Sequence, residues 1–387
     1  MTVFLLVSIA FIAMTHYDPN ESLFSLRSGP GAPLFDRFSF TTYPEVLPIP
    51  KKPDGIKVVG LIFFGRRDRV KILNCYLERN LVENGGWLDE VVWFRNTDVE
   101  EDLEYLDQLV DEHPTYRTLK LPEGTKNAYN YAWAQLERGK FYIKLDDDVV
   151  WLADDTIPRI VTLKNNNPHY LVTSANMINS PLLGWVHYHA GALHPYLPEF
   201  DVYEPPVVDT RPKSWRYTDY PLWDGPSDYH FDIKQQPPFE NHRWLRLRNY
   251  TDIHRTPIEF MDYDPWGISL NEWGIATVQH YSFLENLADN RLDRYKFGRT
   301  WVTDYSRLSI NCICVYADDI LDMPMTDDDS DEEYLTVTLP KKLKKSVAVD
   351  LHGIAVHFSF MFQTQVSQTD LFARYKNYAE EKVCGKR

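Results

Sequence analysis

The sequence predicts an α/β protein with a doubly wound, mostly parallel central sheet. Three observations carry this. Between residues 57 and 146, four strand-like apolar runs are separated by three segments of helical spacing. The first run, "KVVGLIFFG", is apolar almost throughout, as a buried strand is. The fourth ends in three consecutive aspartates, Asp146, Asp147 and Asp148, where open parallel sheets bind ligands, beyond a strand's carboxyl end.

The elements follow in order. "KVVGLIFFG" is strand one and ends at Gly65. Asp68 then caps a helix whose apolar positions are Val70, Leu73, Leu77 and Leu81. "EVVWFRN" is strand two, and Leu103, Leu106 and Val110 mark a second helix. "YRTLKLP" is a shorter third strand. "TKNAYNYAWAQLERG" is a third helix, stopped by Gly139, and "KFYIKLD" is strand four. From Ser180 to Arg255 Pro, Trp, Tyr and His dominate, which predicts a long, aromatic-rich loop insertion. Beyond it come a helix near Ile275–Leu287 and a strand-like "SINCICVYA". An acidic loop "TDDDSDEEY", an amphipathic "YLTVTLPKKLKK" and a final "VAVDLHGIAVHFSFMFQ" follow. No internal repeat is visible.

The expected layout is a signal peptide or signal-anchor remnant at 1–16, a stem or linker at 17–55, a catalytic domain at 56–365 and a C-terminal tail at 366–387. Within the domain, 56–155 is the nucleotide-binding half, 180–255 the acceptor-side insertion and 256–365 the acceptor half. The apolar N-terminal stretch, Val3 to Met14, is short of the roughly 20 residues that span a bilayer. Its length suits a signal-peptide core or trimmed anchor, giving membrane association through the N-terminus and a secretory, Golgi location as expectations. Sequons at Asn20 and Asn249 permit glycosylation there. A net charge of −15 and pI near 5.3 argue against general nucleic-acid binding. They also mean that an anionic substrate needs local cations or a metal. The four cysteines, Cys75, Cys312, Cys314 and Cys384, are too few for a disulfide scaffold, and Cys312-x-Cys314 matches neither a redox nor a zinc motif.

Three adjacent carboxylates repel one another. Either a cation sits among them, or one is a nucleophile beside a cation. D-x-D at a strand end suits Mg²⁺ or Mn²⁺ carried by a nucleotide diphosphate, since both ions take hard oxygen ligands. The alternative is D-x-D-x-V, the nucleophile motif of haloacid-dehalogenase-type phosphatases, with Asp146 attacking phosphorus and Asp148 as acid/base. Against it, three β/α units precede this strand and no Ser/Thr-bearing second strand follows in the right place. A catalytically inactive carbohydrate-binding module using the aromatic middle is a third reading.

"TKNAYNYAWAQLERGKFYIKLDDDV" resembles the segment of GT-A glycosyltransferases, the nucleotide-sugar-dependent class, especially family-2-like members. The resemblance covers residues 57–155 well and is looser from 256 to 365. It implies a GT-A-like fold and transfer of a hexosyl group from a nucleotide-diphosphate sugar to a glycan or glycoconjugate acceptor, with Mn²⁺ or Mg²⁺. It makes Asp146 and Asp148 the metal and sugar-nucleotide aspartates, with Asp147 between them. The family's E-D-x-x-L motif, which supplies the catalytic base, is similar to "DEEYLT": Asp331 and Glu332 take its two acidic places, in reversed order, so either is the base. Asp318 and Asp319 are reserves. A C-terminal His returning to the metal implies His357, ahead of His352.

The donor pocket is expected at the ends of strands one and two and the third helix. Arg66, with Arg67 beside it, would meet phosphate, Asn96 and Asp98 the base or ribose, and Lys126 and Asn127 an anion at a helix N-terminus. Trp185, His187, Trp223 and Asp224 are the acceptor candidates, because sugar C–H faces pack on aromatic rings.

Overall fold

In the computed structural model, which describes residues 47–199 and 214–385, the chain enters its core at β1 (Val58–Phe64), buried at every position. With no polar face to offer water, this strand takes an interior place in the sheet. α1 (Arg67–Asn80) follows and buries Val70, Leu73 and Leu77 at helical spacing. It begins two residues earlier than expected. Asp68 is not its cap but lies inside the first turn, where its charge suits the helix dipole.

β2 (Glu90–Arg95), α2 (Glu100–Glu112), β3 (Tyr116–Leu119), α3 (Ala128–Ala134) and β4 (Phe141–Asp146) complete the first half. α3 is shorter than its apolar spacing predicts, because the Glu137 amide donates to the Tyr142 hydroxyl (3.0 Å) instead of a helix carbonyl. Gly139, at φ 79°, then turns the chain into β4.

β5 (Val149–Leu152), β6 (Tyr170–Ile178), β10 (Cys312–Tyr316) and β11 (Ser346–His357) supply the rest of the sheet. The strand order is β3-β2-β1-β4-β10-β6-β11-β5, with β9 (Thr300–Val302) pairing β11 to make nine strands. β1 to β4 pair in parallel. β10 runs antiparallel between β4 and β6, and β11 is parallel to β6. This is the α/β architecture expected, with most strands of the central sheet running in one direction.

Two features of the topology position the site. The turn at Asp147 and Asp148 carries the chain from β4 into β5, which pairs not with β4 but with β11. β11 shifts register between Val349 and Ile354, so its second half curls toward that turn and His357 comes opposite Val149.

The aromatic middle is mostly irregular, with α5 (Pro181–His189) and a two-stranded ribbon, β7 (Tyr196–Pro198) with β8 (Trp244–Arg246). α7 (Trp273–Ala288) follows and is buried on nearly every face. Its buried Glu285 accepts from Tyr196 (2.7 Å) and Tyr250 (2.9 Å).

The segment after 365, expected as a tail, packs as part of the domain. α11 (Leu371–Lys382) buries Leu371, Arg374, Tyr375 and Ala379, and Cys384 is disulfide-bonded to Cys75 of α1. Cys312 and Cys314 are free and buried on β10. Residues 1–46, with the apolar N-terminus, most of the stem and Asn20, lie outside the described residues. Among the described ones no helix is long and apolar enough to cross a membrane.

Candidate functional site

β4 delivers Asp146 to the carboxyl edge of the sheet, level with Phe63 of β1. The antiparallel direction of β10 brings Asn311 beside it. The Asp146 amide donates to the Asn311 carbonyl (3.0 Å), and Asn311 Nδ2 donates to Asp146 Oδ2 (2.8 Å). The buried ammonium of Lys144 is ion-paired with Asp146 Oδ1. Burial opposes the Lys144 charge, but Asp146 and Asp331 more than compensate, so its pKa is raised.

Asp147 turns back into the protein. It accepts from the Gly65 amide (3.1 Å) and Arg66 Nε (3.1 Å), and Arg66 Nη2 pairs with its other oxygen. Asp148 is buried and divides its oxygens. Oδ2 takes Arg69 (2.8 Å) and Arg66 (3.2 Å), while Oδ1 faces His357 Nε2 at 3.4 Å. Burial pushes the Asp148 carboxyl up, yet His357, Arg66 and Arg69 together hold it well below the usual carboxylate range.

Asp146, Asp148 and His357 each present a ligand atom within 4.8 Å of the others. The set fits a divalent ion. It offers two carboxylates and an imidazole, and His357 Nδ1 is buried with no hydrogen-bond partner. The arginines on Asp148 occupy one of its oxygens and leave the other toward His357. His352 is not in the group: it lies five residues back in β11, at the register shift, where its amide donates to Asp350 (2.9 Å).

The two acidic positions of "DEEYLT" part company. Asp331 Oδ1 accepts from the Glu332 amide (2.8 Å) and Oδ2 from Trp133 Nε1 (3.3 Å), so it fastens the start of the helical turn 331–333. Glu332 is ion-paired with Arg307. Burial pushes its carboxyl up to about 7, against the pull of Arg307 and Lys144, and Asp146 is near enough to add repulsion.

Asp319 is placed elsewhere. β10 runs antiparallel to β4, with Tyr316 opposite Phe141, so the residues after it emerge at the opposite edge of the sheet from Asp146. There Asp319 is ion-paired with Lys164 (2.7 Å) and Lys345 (2.5 Å), and Asp318 holds Arg138 (3.1 Å).

Of the donor-pocket candidates, Arg66 reaches the aspartates, whereas Arg67 faces Glu101 (3.6 Å) and Asp102 (3.7 Å). Asn96 sits at the end of β2, its Nδ2 donating to the Tyr129 hydroxyl (3.3 Å). Asp98 and Lys126 are exposed. Asn127 is the N-cap of α3: its Oδ1 accepts from the Asn130 amide (3.1 Å), while Nδ2 donates to the Asp327 and Asp329 carbonyls (both 3.3 Å). Its side chain is thus spent on the fold.

Of the acceptor candidates, Trp185 is half-buried against His189 and Tyr263, and Asp224 is exposed. His187 is a core residue, bonded to Asn176 Oδ1 (2.7 Å) and packed on Tyr295. Trp223 donates to the Pro198 carbonyl (2.9 Å) inside the insertion.

Sequence reasoning missed Arg69, Asn311, Lys144 and Arg307. Arg69 carried a usable signal, standing three residues after Arg66 and so on the same side of a first helical turn. The others carried none, because they depend on which strands pair.

No protein-family model matches the chain, and no curated protein matches it. Solved structures show distant likenesses. GalNAc-T7 with UDP, GalNAc and Mn²⁺ aligns at 10% identity over 79% of this chain and 44% of its own, with a TM-score of 0.38. The 4-diphosphocytidyl-2C-methyl-D-erythritol synthase of Anaerococcus prevotii aligns at 9% identity over 32% of this chain and 55% of its own, with a TM-score of 0.24. A second synthase of that name aligns at 15% identity over 31% and 60%, also at 0.24. The chain thus spans from under half to three fifths of these structures, and at such scores the likenesses carry no argument about its chemistry.

Proposed function

We propose that the protein is a metal-dependent glycosyltransferase, moving a hexosyl group from a nucleotide-diphosphate sugar to a hydroxyl of a glycan or glycoconjugate. The observation that carries this is the meeting of Asp146, Asp148 and His357 at the carboxyl edge of the sheet. Mn²⁺ or Mg²⁺ held there would neutralise the departing diphosphate. Arg66, half-exposed and anchored on Asp147 and Asp148, offers a guanidinium to the same phosphates. Glu332 takes the proton of the acceptor hydroxyl. The acceptor oxygen then bonds to the anomeric carbon, the bond from that carbon to phosphate oxygen breaks, and its electron pair leaves with the nucleotide diphosphate. Asp331, with both oxygens engaged, supports Glu332 rather than acting on substrate.

The Cys75–Cys384 disulfide and the exposed Asn249 sequon suit an oxidising compartment, which supports the secretory reading of the N-terminus. The test is a panel of nucleotide sugars, incubated with and without Mn²⁺ and Mg²⁺ and assayed for diphosphate nucleotide release. Metal-dependent release from one donor is expected. Metal-supported cleavage of a generic phosphoester without nucleotide would instead indicate the phosphatase chemistry of Asp146. Sugar binding without turnover would indicate the inactive module.

A further inference from the structure

Trp266 is 59% exposed and Tyr263 49% exposed, large rings left in water on one turn. That turn is held firmly. A Cβ on Gly267 would come within 2.4 Å of the Asp262 carboxylate, and the Trp266 amide donates to Asp264 Oδ1 (2.9 Å). Gln363 Nε2 donates to the Ser269 carbonyl (3.0 Å), tying the turn to the segment that follows His357. The Arg307 guanidinium lies 3.7 Å from the centroid of the Trp266 ring. It therefore covers one face of the indole and leaves the other open. The same guanidinium donates to the Pro265 carbonyl (3.3 Å) and is ion-paired with Glu332. An exposed tryptophan is thus fixed one ion pair away from the acidic residue assigned the acceptor's proton. Tyr263 extends the surface toward Trp185, with ring centroids 5.5 Å apart.

We propose that the open face of Trp266 is the platform on which a pyranose ring of the acceptor stacks, directing its hydroxyl toward Glu332; this rests on the transferase reading above. The C–H face of a pyranose is apolar and edge-positive, and an indole face is electron-rich. The guanidinium beneath pins the ring by cation–π attraction and cannot itself be displaced without breaking the Glu332 pair. The charges around the platform, Asp262, Asp264 and Arg307, suit the hydroxyl rim of a sugar and oppose a lipid chain, which needs a continuous apolar patch.

The experiment uses the full chain and two probes, methyl β-D-galactopyranoside and methyl α-D-mannopyranoside, in saturation-transfer NMR. At least one glycoside should receive saturation on its C–H protons. Trp266→Ala should weaken that binding about tenfold, and Trp266→Phe should restore part of it, with circular dichroism confirming that both variants are folded. No transfer to either glycoside, or binding indifferent to Trp266→Ala, would overturn the platform. Donor hydrolysis without acceptor is measured in parallel on the parent protein. If the parent hydrolyses a nucleotide sugar while glycoside binding ignores Trp266, the platform alone fails. If no donor is turned over under any condition, the transferase reading fails, and the acceptor role with it.

Discussion

The backbone amide of Phe358 donates to the carbonyl of Asp148 across 2.9 Å. This bond closes the end of β11 onto the turn that follows β4, and it sets His357 Nε2 3.4 Å from Asp148 Oδ1. Residues far apart in the chain are brought together by main-chain pairing, so the geometry does not depend on the side chains finding each other.

Asp148→Asn is expected to destabilise the protein as well as silence it. Mutual repulsion of three aspartates alone would predict the reverse. In the structure, however, Asp148 compensates Arg69 and Arg66. Removing one member of a buried ion pair costs about 3 kcal/mol. Chemical denaturation should therefore show a lower midpoint for this variant, and also for Asp146→Asn, which leaves the buried Lys144 ammonium without this partner.

Glu332→Gln should lower transfer by roughly 10²–10⁴-fold with little change in donor affinity. The pH dependence has a defined sign. With its pKa raised to about 7, Glu332 is protonated below that value and unable to take a proton. Transfer should rise as pH increases through about 7 and reach a plateau above it. A flat profile between pH 5 and 8 would remove Glu332 from the role of base.

Stability should fall on the acid side. His187 and His280 are buried, and burial lowers each pKa to about 3. His280 Nε2 donates to the Phe358 carbonyl (2.8 Å), which leaves Nδ1 of the neutral ring to accept from the Tyr375 hydroxyl (2.9 Å). Between pH 3 and roughly 6.5 the unfolded chain binds these protons and the folded chain does not. The stability present above about 6.5 is thus lost as pH falls through this window, at up to about 1.4 kcal/mol per pH unit for each histidine. His280→Gln should flatten the slope of unfolding free energy against pH.

Cutting the Cys75–Cys384 link by Cys384→Ser should cost about 2–4 kcal/mol and leave helix content nearly intact. Burial of Leu371, Tyr375 and Ala379 and the Tyr375–His280 hydrogen bond keep α11 docked without it. Thermal unfolding followed by circular dichroism measures both quantities.

The first half of the fold was legible because its strands are apolar runs and its helices keep their spacing. Asp146 and Asp148 were legible for the same reason, since they end a strand that periodicity locates. Asp319 was misplaced because hydrophobic pattern fixes a strand's existence and not its direction. Antiparallel β10 sends Asp319 to one edge and brings Asn311 to the other. Asn127 looked like an anion ligand and is a helix cap, a role the same residue type fills equally well. The docking of the C-terminal helix leaves no local signal in the sequence, because the partner of Cys384 lies in α1, 309 residues away. Trp266 was hidden among the many aromatics of the second half, and only its exposure and its arginine distinguish it.

The most direct measurement is the thermal stability of the parent and His357→Ala proteins with UDP or GDP, each with and without Mn²⁺. A site built from Asp146, Asp148 and His357 predicts that nucleotide stabilises the parent only when Mn²⁺ is present, by about 2.7 kcal/mol at a hundredfold excess over Kd. It also predicts that most of this gain disappears in His357→Ala. Stabilisation of equal size without Mn²⁺, or a gain untouched by loss of His357, would contradict the metal centre.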